Sequence, residues 1–244
     1  MIAVDHHDGV AVVRLEHGKV NALDLELLQA LTATLAELSD AAAIVLTGAG
    51  RAFSAGVDLK RLLAGGPDDV EELLLALDAG LLALYDHPRP AVAAVNGHAI
   101  AGGCILVQAC DYRLMSGGTI GVPELKVGVP FPTAPFEMLR NAVGARTTAL
   151  VLTGRTVGPD EAVTLGLVDA TVEPERLLER ALDQAAALAR IPSSTFAHTR
   201  EQLRGEARRR IAAAGEADRR TRALWHSAEI RSAAREYLEA LAAR

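Results

Sequence analysis

Apolar and polar residues alternate in blocks that divide the chain into a first half of short strands and helices and a second half that is mostly helical. Val10 to Leu15 and Ala42 to Leu46 are apolar runs, which favours buried strands. Between them, Leu23 to Leu38 repeats leucine at helical spacing, and Asp24 and Glu26 lie in the first turn, where the helix dipole favours anions. The pattern predicts a strand, a helix and a second strand.

The same alternation continues as far as residue 121. Val70 to Leu84 predicts a leucine-rich helix that ends before a His-Pro-Arg-Pro sequence, and Ala91 to Val95 predicts a short buried strand. Cys104 to Cys110 is long enough for two helical turns, and Tyr112 to Met115 and Thr119 to Gly121 resemble short strands. From residue 133 onward the spacing is helical, so we expect one α/β domain followed by a helical region.

Composition narrows the class of protein. The chain has 244 residues, of which 50% are apolar and 23% charged, as in globular proteins. A net charge of −6 gives no reason to expect a nucleic-acid or anionic-membrane partner. No apolar run reaches membrane-spanning length, and Met1 to Asp8 lacks a signal pattern, so a cytoplasmic protein is expected. His6 and His7 are expected in a mobile terminus.

The cysteines and serines indicate none of the common catalytic or metal motifs. Cys104 and Cys110 fit neither a metal motif nor a disulfide framework, so two buried thiols and no metal site are expected. No G-x-S-x-G sequence surrounds Ser54 or Ser116, and no phosphate-binding loop of the G-x-x-x-x-G-K type occurs in the sequence.

Three segments could together form a reactive site. In Ala52 to Leu59, Gly56 permits a backbone turn that could direct the Val57 N–H at a ligand. Asn96 to Cys104 contains a glycine pair at a predicted helix start, where N–H groups lack partners. Thr119 to Glu124 places a single carboxylate directly after a proline. The segments could therefore supply two backbone donors and one acid.

Two further features have ordinary interpretations. His98 lies in the second segment, and a packing or hydrogen-bonding role is expected for it. The arginine-rich stretch from Arg200 to Arg222 is interleaved with acidic residues, which is typical of a solvated helical face.

The order and spacing of these segments resemble the crotonase (enoyl-CoA hydratase/isomerase) family over nearly the whole chain. The resemblance rests on Lys19 to Leu23, Ala52 to Leu59, Asn96 to Cys104, Cys110 to Arg113, Gly121 to Glu124, and Ala162 to Val168. It implies an α/β, crotonase-like spiral of strand–strand–helix turns over residues 1–190, with the acyl-CoA site. Residues 191–244 would form a helical trimerisation or lid region, and the assembly would be a homotrimer or a dimer of trimers.

The resemblance also implies roles for individual residues. Val57 and Gly102 would donate their amides to a thioester oxygen, and Glu124 would carry the proton. The coenzyme A channel would be lined by Ala22, Leu23, Ala55, Asp58 and Leu59, and the acyl pocket would include Ile105 and Phe131. No separate cofactor is implied, since coenzyme A is part of the acyl-CoA substrate. Contact between the arginine-rich stretch and the coenzyme A phosphates is a less favoured alternative.

One departure from the hydratases indicates the reaction. Hydratases of this family carry a second glutamate at the position of Ile105, whereas 3,2-enoyl-CoA isomerases have a single one. Hydration needs a water to be held and deprotonated, but a double-bond shift requires only one carboxylate. Pro130 to Pro135 also replaces a glycine-rich segment of hydratases. The sequence therefore favours a Δ3-to-Δ2 enoyl-CoA isomerase; a hydratase and a non-catalytic acyl-CoA binding protein remain alternatives.

Overall fold

Two β-sheets and a shell of helices form the part of the chain that the computed structural model describes, residues 1–242. The strands are β1 (Ile2–His7), β2 (Val10–Leu15), β3 (Ala43–Gly48), β4 (Ala52–Ser54), β5 (Ala91–Val95), β6 (His98–Ile100), β7 (Tyr112–Met115), β8 (Ile120–Gly121), β9 (Thr156–Val157) and β10 (Ala170–Thr171). The helices are α1 (Leu25–Glu37), α2 (Leu59–Ala64), α3 (Pro67–Tyr85), α4 (Gly102–Ala109), α5 (Glu124–Val127), α6 (Thr133–Val143), α7 (Thr147–Thr153), α8 (Pro159–Leu165), α9 (Leu177–Ala189), α10 (Ser193–Ala212), α11 (Gly215–Trp225) and α12 (Ala228–Ala242).

The larger sheet has six strands in the order β1-β2-β3-β5-β7-β10, and all neighbours beyond β1 are parallel. Its central strands are apolar on both faces, as expected of a parallel sheet that is covered on both sides. In β2, Val10 and Val12 face the cluster that contains α9, whereas Ala11, Val13 and Leu15 face the main core with α1 and α3. The sheet is thus a rigid layer between helices.

The sequence-based prediction of a mobile N-terminus is wrong. Residues 2–7 form β1, which pairs antiparallel with β2 along its whole length, from Ile2 opposite Leu15 to His7 opposite Val10. The polar residues of β1 are exposed because it is an edge strand, and the backbone ladder orders it without an apolar pattern. The predicted buried thiols are confirmed, since Cys104 and Cys110 are both buried and free.

The smaller sheet brings the three candidate segments together. Strands β4, β6 and β8 are adjacent and parallel, and β9 completes the sheet. Because parallel strands end at the same edge of a sheet, the loops that follow β4, β6 and β8 meet there. Those loops lead to Val57, Gly102 and Glu124 respectively.

The arginine-rich stretch is only partly a solvated face. Side chains of Arg200 and Arg204 are about nine-tenths buried and form ion pairs with Asp111, at 3.5 and 2.8 Å. Arg204 also lies over the ring of Tyr85 and donates to its carbonyl oxygen. The prediction of a solvated face is therefore wrong for these two arginines, which attach α10 to the core. Within residues 1–242, no helix is both long and apolar enough to cross a membrane.

Candidate active site

A cavity of about 510 Å³ lies at the edge where the three loops meet. Nine of the ten site residues predicted from the sequence line it: Ala22, Ala55, Val57, Asp58, Leu59, Gly102, Ile105, Glu124 and Phe131. The tenth, Leu23, is fully buried and makes no part of the cavity wall. Its backbone instead pairs with the loop that carries Val57.

That pairing sets the direction of the Val57 amide. Leu23 donates its N–H to the Gly56 carbonyl at 2.8 Å and accepts from the Asp58 N–H at 3.1 Å. In a trans peptide the C=O and the following N–H point in opposite directions, and no cis peptide occurs within the described chain. The Gly56 carbonyl faces Leu23, so the N–H of Val57 faces away from Leu23.

The Gly102 amide lies close to the same place. Gly102 is the first residue of α4, so its N–H has no partner within the helix, and the positive end of the helix dipole lies there. The preceding Ala101 has a φ of 53°, a rare value for alanine that turns the chain sharply between β6 and α4. A Cβ added to Gly56 would lie only 3.1 Å from the Gly102 nitrogen, so the two loops are packed backbone against backbone.

Glu124 is the acid of the cavity, and its environment is apolar. It begins α5 directly after Pro123, and its Oε2 is buried with no hydrogen-bond partner among residues 1–242. Burial raises the pKa of Glu124 to about 8. Asp58, the other acidic residue of the lining, is already engaged: its Oδ1 accepts from the amides of Lys60 and Arg61 at 3.0 and 3.1 Å.

Ile105 presents no second acid to the cavity. It lies one helical turn after Gly102 on α4 and is fully buried. Phe131 and the prolines beside it line the cavity from the segment between α5 and α6, and Phe131 packs edge-to-face on Phe136 at 6.3 Å between ring centroids. These parts of the cavity wall are therefore apolar.

The C-terminal helices contribute three lining residues that no sequence motif indicated. Trp225 at the end of α11, and Tyr237 and Leu238 in α12, line the cavity. Trp225 donates its Nε1–H to the Pro130 carbonyl at 3.1 Å, and Arg231 donates to the Leu63 carbonyl at 2.7 Å, which holds α12 against α2. The signal that was available is that Trp225 is the only tryptophan of the chain, placed in an otherwise polar helix.

His98 lies outside this cavity. It is exposed at the start of β6, and its Nδ1 is 3.0 Å from the Thr119 hydroxyl and accepts from the Thr119 N–H at 3.2 Å. The expected hydrogen-bonding role is confirmed. Within residues 1–242 there is no group of three His, Cys, Asp or Glu side chains that could hold a metal ion.

Comparisons with known proteins show the family of the chain. Residues 5–244 match the model of a family described as "Enoyl-CoA hydratase/isomerase". A probable enoyl-CoA hydratase of Rhizobium meliloti is 39% identical over 175 residues, which cover 70% of this chain and 67% of that protein. The human mitochondrial enoyl-CoA delta isomerase 1 is 30% identical over 226 residues, covering 89% of this chain and 75% of that protein.

Solved structures support the same relationship. The crystal structure of human mitochondrial Δ3-Δ2-enoyl-CoA isomerase superimposes with a TM-score of 0.93 at 29% identity, covering 98% of this chain and 97% of the other. The relatives therefore include both hydratases and isomerases, which belong to the same family. The chain belongs to the enoyl-CoA hydratase/isomerase family and has the crotonase fold.

Proposed function

We propose that the protein is a Δ3-to-Δ2 enoyl-CoA isomerase in which Glu124 is the only acid and base. The observation that carries the proposal is the single available carboxylate, with a raised pKa, in a cavity where the neighbouring wall position is the fully buried Ile105. The likeness to the human isomerase structure over nearly the entire chain supports it.

The two loop amides would stabilise the charge that the reaction creates. Removing a proton from C2 of an acyl-CoA moves negative charge to the thioester oxygen. The Val57 and Gly102 amides, one facing away from Leu23 and one at the start of α4, would bind that oxygen. Loss of one such donor typically costs about 2.7–4 kcal/mol of transition-state stabilisation.

Glu124 would then move the proton from C2 to C4. Its carboxylate accepts the C2 proton, and the neutral acid that results returns the proton to C4 as the double bond moves into conjugation. A pKa of about 8 suits both steps, because the carboxylate is a stronger base than an exposed one and still exists at neutral pH. The apolar wall supplies no water-activating group beside it.

The remaining assignments follow from the same proposal. Ala22, Ala55, Asp58 and Leu59 would flank the coenzyme A portion of the substrate, and Ile105 and Phe131 would contact the acyl chain. No cofactor other than the coenzyme A of the substrate would take part. Residues 1–190 would form the catalytic core, and residues 191–244 would both cover the cavity and support assembly into a homotrimer or a dimer of trimers.

A comparison of two substrates tests the proposal. The purified protein should convert a 3-enoyl-CoA to the conjugated 2-enoyl-CoA. The reaction is monitored by the increase in absorbance of the conjugated thioester. A 2-enoyl-CoA should be hydrated to the 3-hydroxyacyl product far more slowly. Faster hydration than isomerisation would assign a hydratase instead, and tight acyl-CoA binding with neither reaction would assign a binding protein.

Placing a second carboxylate at Ile105 should shift the reaction toward hydration. Ile105 lines the cavity and lies on the same helix as Gly102, so Ile105→Glu would hold a carboxylate beside the cavity, able to orient water. We expect measurable hydration of 2-enoyl-CoA and slower isomerisation. Ile105→Gln, of equal size but unable to accept a proton, is the matched control. Equal hydration rates in the two variants would contradict the explanation.

A further inference from the structure

Asn21 connects the segment before α1 to the loop that carries the Val57 amide. Asn21 is 1% exposed, and its Nδ2 lies 3.0 Å from the Ala52 carbonyl oxygen, 3.2 Å from that of Phe53 and 3.3 Å from that of Ala49. Its Oδ1 accepts from the N–H of His17 at 2.9 Å. A single buried amide thus joins the β3–β4 connection and strand β4 to the segment that follows β2.

A second set of bonds leads from Asn21 to Gly56. The carbonyl oxygen of Asn21 accepts from the Ser54 hydroxyl at 2.7 Å, and the oxygen of that hydroxyl accepts from the Gly56 N–H at 3.2 Å. Gly56 directly precedes Val57, so this relay ends one peptide unit from the Val57 amide. Neighbouring backbone bonds extend the connection, since Ala55 donates to the Val20 carbonyl at 2.9 Å.

The conformation of Asn21 is itself unusual. Its φ is 50°, in the left-handed region. This conformation costs free energy for every residue except glycine, although asparagine tolerates it better than most. This twist lets the side chain face β4 while Val20 and Leu23 pair with residues 55 to 58. Strained residues of this kind are held in place by their surroundings and occur often at functional sites.

We infer that Asn21 is a positioning residue: through its side chain and the Ser54 relay it fixes the direction of the Val57 amide. This inference rests on the proposed function, because it matters only if that amide binds the thioester oxygen. Asn21 is outside the cavity lining and touches no reacting atom, so it would act through the 53–58 segment alone. A misplaced donor weakens the binding of charge in the transition state more than the binding of substrate.

The test uses Asn21→Gly, which removes the side chain while glycine keeps the left-handed backbone free of strain. We expect kcat for isomerisation to fall by about 10- to 100-fold while KM changes little. A mutation remote from the reacting atoms that displaces a catalytic group by about 1 Å can lower the rate by about 100-fold. Ser54→Ala, which breaks only the relay, should lower kcat in the same direction by less, and it serves if Asn21→Gly does not fold.

Thr47→Val is the matched control for lost stability. Thr47 is also buried, and its hydroxyl donates to the Ala94 carbonyl at 2.8 Å between β3 and β5, away from the cavity. This variant should lower the unfolding temperature and leave kcat unchanged. An equal loss of kcat in Thr47→Val would show that the effect of Asn21 is only one of stability and would overturn the inference.

A binding measurement separates failure of this inference from failure of the proposed function. Butyryl-CoA and its thioether analogue, S-butyl-CoA, differ by the carbonyl oxygen, so their affinity ratio reports on the two amides without turnover. The wild-type protein should prefer the thioester modestly, since the ground-state carbonyl oxygen carries little charge, and Asn21→Gly should reduce that preference. A wild-type preference that Asn21→Gly retains, with kcat intact, overturns the role of Asn21 alone. A wild-type protein with neither preference nor turnover overturns the proposed function and this inference with it.

Discussion

Glu124→Gln should lower the kcat of the proposed isomerase reaction by about 10³-fold or more, since general acid–base catalysis contributes about 10²–10⁴ and one group would perform both proton transfers. The glutamine keeps the size of the side chain but can neither accept nor return a proton. Substrate binding should persist because the amides of Val57 and Gly102 are untouched. Steady-state rates with a 3-enoyl-CoA, together with the affinity for a saturated acyl-CoA, measure the two effects separately. A variant with wild-type turnover would exclude Glu124 as the base.

The same substitution should make the protein more stable at high pH. In the unfolded chain the carboxyl group loses its proton near pH 4.5, whereas in the folded chain burial raises the pKa to about 8. Between these values the folded state binds more protons, so the free energy of unfolding falls as the pH rises through this window. Glutamine has no such slope. Between pH 5 and pH 9 the wild type should lose roughly 4 kcal/mol relative to Glu124→Gln, since each pKa unit corresponds to about 1.36 kcal/mol and the two pKa values lie about 3.5 units apart.

Denaturant unfolding at pH 5 and pH 9 measures this difference, and Glu137→Gln provides the control. Glu137 is also buried, but its carboxylate is paired with Arg140 at 2.6 Å and with Arg210 at 3.6 Å. Removing that charge should destabilise the protein and leave turnover unchanged, the reverse of both effects at Glu124. A pH-independent stability difference between Glu124→Gln and the wild type would contradict the raised pKa.

Gly56→Ala should lower kcat by about 10²–10³-fold, the effect of losing one amide donor to the proposed oxyanion, and should also destabilise the fold. Gly56 has a φ of 79°, and an added Cβ would lie 2.6 Å from the Ile100 carbonyl oxygen and 2.8 Å from the Ala101 Cβ. Both neighbours belong to the loop that presents Gly102, so relief of the clash must separate the two amides. Turnover and thermal unfolding of the purified variant are the measurements.

A second glycine variant separates the effect of the steric clash at Gly56 from the effect of placing alanine in a left-handed backbone conformation. Gly166, which ends α8, has a φ of 77°, and a Cβ added there would meet no atom within 4 Å. Gly166→Ala therefore carries the same conformational strain without the clash. It should lose stability by about 1 kcal/mol, as expected for alanine forced into this region, and keep full activity. Similar losses of kcat in both variants would contradict the proposed contact between the loops.

The long elements were predictable from the sequence because each carries its own periodic signal. Strands β2, β5 and β7 have the predicted limits, and the helices expected over residues 23–38 and 70–84 form as Leu25–Glu37 and Pro67–Tyr85. Strand β1 was missed because an edge strand with exposed polar residues leaves no alternating pattern. Arg200 and Arg204 were misjudged because their partner, Asp111, lies about 90 positions away in the sequence, where no local pattern can indicate it.

The parts of the candidate site that could be predicted are those formed by backbone groups within short sequence motifs. A glycine with a left-handed turn and a helix start are visible as motifs, so the segments of Val57, Gly102 and Glu124 could be singled out. The placement of Leu23 could not be predicted, because its motif does not show whether its side chain lines the cavity or its backbone pairs with the Val57 loop. The walls formed by Trp225 and Tyr237 depend on tertiary docking of α11 and α12, which helical periodicity does not specify.

The position of these walls at the far end of the chain has a consequence for synthesis. Both glycine loops and Glu124 lie within the first 124 residues of the sequence. The residues that cover them, Trp225, Tyr237 and Leu238, come at least 100 positions later. During translation the first part can therefore leave the ribosome and pair its strands while the apolar cavity is still open to water. The cavity can therefore be covered only after α11 and α12 have been synthesised and have packed against the earlier elements.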